Sequence, residues 1–178
     1  MSTLADLEFN TTEGRTIARE LLIAYLNTGT PEEPVWSAIG KRVEESDEEM
    51  DWSEESIKDI FGNTWTTLTK PVITQSFDPI PLDAGDVAAV KLWNLAIKDQ
   101  DAQALANQDM LIGHYYATSG ESNFAERYSG ASVSVTRIGG AGGGNLEISC
   151  DITYGGTRTL GTVSNSAGTV TFKADGAA

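Results

Sequence analysis

The nine residues Leu146–Tyr154, "LEISCDITY", restrict the fold more than any other stretch. Leu146, Ile148, Cys150, Ile152 and Tyr154 fall on one side of an extended chain, and Glu147, Ser149, Asp151 and Thr153 on the other. A period of two cannot place an apolar stripe on a helix. It describes a strand with one face in a core and one in water, the habit of antiparallel sheets. "YGGTRT" then reads as a hairpin turn, and Thr157–Val163 and Thr169–Lys173 complete a meander. Ala131–Ile138 repeats the alternation, with Val133 and Val135 inward and Ser132, Ser134 and Thr136 outward. Upstream, Ile17–Leu26 is apolar on both faces, which predicts a strand buried on both sides. Val35–Lys41, Thr64–Lys70, Val72–Phe77 and Met110–Ala117 are further strand candidates. The helical pattern lies in residues 84–100, capped by Asp83 or Asp86, with Ala89, Val90, Trp93 and Ile97 on one face and Lys91, Asn94 and Lys98 on another. The expected fold is mainly β, a two-sheet β-sandwich or partial barrel of about eight strands with one flanking α-helix.

Charge narrows the function. Among 178 residues the formal net charge is −14, which opposes gripping a nucleic acid or an anionic membrane. The run Lys41–Asp59, "KRVEESDEEMDWSEESIKD", holds nine of the carboxylates. It reads as an acidic loop over residues 41–63, with either a short helix capped by Ser53 or a short strand pair inside it. A single cysteine, Cys150, leaves no intramolecular disulfide. "MSTLADLEFNTTEGR" lacks an apolar h-region, so no secretory signal is expected, and "LLIAYL" is too short to span a bilayer.

Catalytic and metal motifs are scarce. His114 is the sole histidine, which removes the usual zinc sets. Cys150 sits on the apolar side of its strand and reads as a small buried hydrophobe. "GGAGGGN" (Gly139–Asn145) lacks the Lys-Ser/Thr and the following helix of a phosphate loop, and reads as a hairpin tip. The acid run lacks the glycine and spacing of a calcium loop. No cofactor, metal or catalytic residue is expected.

One further feature is the order of segments: "ELLIAYLNTGTPEEPVWSAIGKRV", the acidic loop, "IKDIFGNTWTTLTKPVITQSFDP", then "DAGD" opening the helix, then the β-meander. This order resembles the major tail (tail tube) proteins of long-tailed, siphovirus-type bacteriophages, above all those infecting Gram-positive hosts. The resemblance implies an N-terminal arm (1–16), a single β-sandwich domain (17–175) and a short C-terminal tail (176–178). It implies hexameric rings that stack into a hollow tube, with DNA passing through the lumen unbound during ejection. The implied partners are the chain itself and tape-measure and tail-terminator or distal tail proteins. The implied location is the virion tail, assembled in the host cytoplasm. Glu147 and Asp151, on the polar side of the cleanest strand, are candidate lumen-facing groups. Glu44, Glu45, Asp47, Glu48, Glu49, Met50 and Trp52 are candidates for a loop between rings or subunits, its carboxylates restraining premature stacking. The alternative is a monomeric β-sandwich binding or virion decoration module; an acidic hydrolase with an unrecognised carboxylate pair is a third reading.

Overall fold

Three strands divide the interior into two apolar cores, and the rest of the chain closes around them. A computed structural model describes residue 4 and residues 7–176. The elements are β1 (Glu8–Phe9), a 3-10 turn (Arg19–Leu21), β2 (Leu22–Asn27), β3 (Trp36–Ala38), β4 (Glu48–Asp51), β5 (Glu55–Lys58), β6 (Thr64–Thr67) and β7 (Val72–Pro81). They continue as α1 (Val87–Trp93), a π-turn (Asn94–Lys98), α2 (Ala102–Leu105), β8 (Gln108–Ser119), β9 (Ser122–Gly139), β10 (Glu147–Tyr154), β11 (Thr157–Ser166) and β12 (Thr169–Ala174). The fold is mainly β, with twelve strands among the described residues where about eight were expected. The additional ones are short edge pieces such as β1 and β4, whose identity depends on a partner strand rather than on local sequence. Most of the implied N-terminal arm is described here, with β1 pairing with β8; its residues 1–3 and 5–6, and residues 177–178 of the tail, lie outside the described residues.

The first sheet runs β3-β2-β8-β9-β11-β12. It curls until β12 lies against β3, wrapping a core of Tyr25, Trp36, Leu111, Ala125 and Val163 with Val170 and Phe172. Curling this tightly needs one close strand approach. A Cβ on Gly161 would stand 2.2 Å from the Lys173 carbonyl oxygen and 2.7 Å from the Phe172 ring, so only glycine fits. The second sheet runs β4-β7-β10-β9. Strand β9 serves both sheets: residues 122–131 pair with β8 and β11, and residues 132–139 with β10.

Between the sheets lies the larger core, including Leu26, Met110, Ile112, Ile148 and Ile152 and, from α1, Ala88, Ala89 and Leu92. The doubly apolar β2 is explained: Ala24 and Leu26 enter this core, while Ile23 and Tyr25 enter the smaller one. Ile148, Cys150, Ile152 and Tyr154 all point inward as the alternation predicts. Leu146 does not; it precedes β10 and is exposed. Asp86 caps α1 by accepting from the Ala89 N–H at 3.1 Å. The buried face of α1 is Ala88, Ala89 and Leu92, so Val90 and Ile97, expected inside, stand at the surface.

Candidate functional site

The acid run is not one loop. Ser46 anchors it: its hydroxyl donates to the Ser76 carbonyl at 2.7 Å, and its own carbonyl accepts from Arg19 at 2.5 Å. Glu48–Asp51 then pairs with β7, which sets alternate side chains on opposite faces. Glu49 lies opposite Thr74 on the outer face, and Glu48 opposite Gln75 on the inner one. Glu44, Glu45 and Asp47 are exposed.

Glu48 reaches a polar network threaded between the sheets. Tyr154 donates to Gln75, and Gln75 donates to the Ser46 hydroxyl. The Tyr128 ring sits 5.2 Å from Tyr154, and its hydroxyl donates to Glu126. Glu126 also accepts from Arg158 at 2.9 Å and lies 3.2 Å from His114 Nε2. Burial pushes the Glu126 carboxyl up, but the close His114 ring and hydrogen bonds from Arg158 and Tyr128 outweigh it and hold the group at about 2. Glu48 is the opposite case. Burial raises it, its Oε1 is enclosed with no hydrogen-bond partner, and the nearby Glu126 charge adds to the rise, which His114 and Arg19 offset only in part. His114 stacks on Phe124 at 5.0 Å and shares a hydrogen bond with Tyr116, as a packed residue of this network. Cys150 is buried, and burial pushes its thiol up to about 12, which removes nucleophilic character.

The outer face of the second sheet is a lattice of hydroxyls and carboxylates. One row runs Glu49, Thr74, Thr153, Ser132; the next runs Ser76, Asp151, Ser134. Asp151 is exposed and accepts from Ser76 at 2.7 Å. Glu147 shares this face but lies 3.8 Å from the Arg137 guanidinium, which also reaches Asp78 at 3.2 Å. The two candidate lumen carboxylates therefore differ: Asp151 is open and Glu147 is countered. Glu49, Ser76 and Thr74 join them on this face, and no local sequence signal places them there because the register of β4 on β7 is tertiary. Among the described residues, neither the outer edge of β4 nor that of residues 132–139 in β9 has a pairing strand.

From Trp52 the chain leaves the body as an arm. Strands β5 and β6 pair only with each other. Ile57 pairs with Trp65 on one face, and Ser56 pairs with Thr66 through their hydroxyls on the other. Asp59 builds the turn by accepting from the Phe61 and Asn63 N–H groups, the Asn63 amide and the Trp65 indole. The strand pair, not the helix, is the outcome for this segment, and Ser53 is a left-handed pivot at φ 45° rather than a cap. Ile57, Ile60, Phe61 and Trp65 are 69%, 94%, 82% and 60% exposed, with Met50, Trp52 and Leu68 also at the surface. "DIFGN" between Ile57 and Trp65 carried this signal, an Asp-Gly-Asn turn between apolar partners.

No family model and no curated protein matches the chain. Solved structures of similar outline do exist. The extended sheath–tube complex of an extracellular contractile injection system aligns at 11% identity over 85% of this chain and 95% of that one, with a TM-score of 0.48. The tube-terminating cap of the anti-feeding prophage aligns at 16% identity over 86% and 95%, with a TM-score of 0.47. The extended sheath/tube terminator of an injection system aligns at 11% identity over 84% and 99%, also at 0.47.

Proposed function

We propose that the chain is a non-catalytic structural subunit of a tail tube, in a long-tailed phage of the type its sequence resembles. Six copies close a ring by joining the second sheet of each to the next, and rings stack into a hollow tube. The single observation that carries this reading is that sheet: open at both edges, apolar on one face, hydroxyl and carboxylate on the other. Open edges invite uncontrolled pairing unless something covers them, and cyclic closure covers every edge at once. The polar face then lines the channel. DNA presents about one negative charge per 1.7 Å, and carboxylates within a Debye length of about 8–10 Å repel it, so the genome slides without sticking. Tape-measure and tail-terminator or distal tail proteins would bound such a tube, built in the host cytoplasm and carried in the virion.

Negative-stain microscopy of the purified protein at rising concentration tests this. Rings or striated tubes with a central channel are expected; a compact monomer at every concentration and salt overturns the reading and favours the decoration module. In assembled tails, Asp151→Lys is expected to slow DNA ejection several-fold, and Glu147→Lys less, since Arg137 already offsets Glu147. Unchanged ejection with Asp151→Lys removes that face from the lumen.

A further inference from the structure

Strand β4 is a weakly held edge with a carboxylate turned inward. It pairs on one side only, with β7, through Glu48–Asp51. Glu48 and Met50 share its inner face, and Met50 is 53% exposed, so β4 seats no apolar side chain in either core. What holds it is the ladder to β7 and the Ser46 anchor just ahead of it. Beyond it the chain turns away at the left-handed Ser53 into the arm. A strand so lightly packed belongs to the part of a fold that opens locally.

Glu48 works against that hold. Gln75 stands opposite it on β7 but is engaged with Tyr154 and Ser46. From β8, His114 turns its two ring nitrogens to Tyr116 and Glu126. From β9 comes Glu126, a second carboxylate, and from the 3-10 turn Arg19, which donates to the Leu22 and Ser46 carbonyls. Tyr116 and Tyr154 lie close enough for the Glu48 charge to push their hydroxyls up. No group turns a donor to the enclosed Glu48 Oε1. Ionised in place, the carboxylate bears the desolvation cost of a poorly paired charge. Two events remove that cost: a proton on Glu48, or release of β4 into water.

We propose that β4 is a proton-operated edge strand, lying on β7 when Glu48 is protonated and released when Glu48 is ionised, which bares residues 72–75 of β7. An inward-pointing charge is also a known restraint on the pairing of a sheet edge. Burial raises the Glu48 carboxyl above its ordinary 4.5, so the docked strand is favoured at low pH and loses ground as pH rises through the folded-state value. The edge offered to a neighbouring copy then changes with pH, and the arm, which follows β4, moves with it. The effect on ring closure rests on the tube reading; the release of the strand does not.

Amide hydrogen exchange of the wild type and Glu48→Gln, compared at the same pH so that intrinsic rates cancel, tests the release. At pH 4 the two are expected to exchange alike in β4; at pH 8 the wild type is expected to exchange several-fold faster there, with β10 and α1 alike in both. One ratio at both pH values, or β10 loosening together with β4, overturns the proposal. Glu49 and Thr74 face each other across the two strands, so an oxidised Glu49→Cys/Thr74→Cys pair staples β4 down. At pH 8 the stapled protein and Glu48→Gln are both expected to form rings faster than the wild type. Equal rates overturn the effect on assembly and leave the release to stand on exchange. A wild type that never assembles overturns the tube reading alone.

Discussion

Glu126 and Glu48 occupy one network and titrate in opposite directions. The Glu126 carboxyl is held at about 2, below its ordinary 4.5. Its contribution is fully present above the unfolded value of 4.5 and is lost as pH falls through about 2. That contribution is about 3 kcal/mol at neutral pH by linkage. Glu126→Gln is therefore expected to lose about 3 kcal/mol at pH 7 and little at pH 2, measured by denaturant unfolding across that range. Glu48 is raised, so its ionisation opposes folding: the penalty is absent below its unfolded pKa and sets in as pH rises through the folded one. Glu48→Gln is expected to stabilise the protein by about 1 kcal/mol at pH 8 and to change nothing at pH 4. Equal effects at both pH values would place Glu48 in water. None of this was legible in the sequence. His114, Glu126 and Arg158 come from three strands, and only the pairing of β8, β9 and β11 brings them together. Within an acidic run, the inward carboxylate looks like its neighbours until β4 finds its register.

At the scale of elements, the arm is the part that gives the body least and the proposed assembly most. An isolated two-stranded hairpin is marginal in water, and this one touches neither core. Asp59→Ala removes four hydrogen bonds at its turn. The expected outcome is an unchanged global melting temperature with faster amide exchange in β5 and β6 and loss of polymerisation. A lower melting temperature would mean the arm is part of the cooperative fold. By contrast, Leu92→Ala, which empties a fully buried site under α1, is expected to cost about 3 kcal/mol. The strands with strict alternation, β9 and β10, and the capped helix were readable because their periodicity is a property of the segment itself. β4 and the arm were not, since a run of carboxylates looks solvated whichever way the backbone pairs, and the exposure of Val90 and Ile97 was invisible because periodicity reports a face but not which of its residues the sheets cover.

For the whole molecule, charge and connectivity act together. In the ring proposed above, six copies at −14 each would bring roughly −84 together before counterions gather, so ring formation and stacking are expected to quicken as salt rises. Neutralising Glu44, Glu45, Asp47 and Glu49 by amide substitution is expected to reproduce that acceleration at low salt, followed by light scattering; no acceleration would mean the run does not restrain stacking. Glu48 belongs outside that set, since it faces the interior. The two cores are joined differently, by β9, whose 18 residues run unbroken from one sheet into the other. A wall built from such subunits has no seam between its inner and outer layers. In the tube proposed above, load raised on the polar face of the second sheet would pass along that one strand into the first sheet, so each subunit would answer it as a single stiff stave.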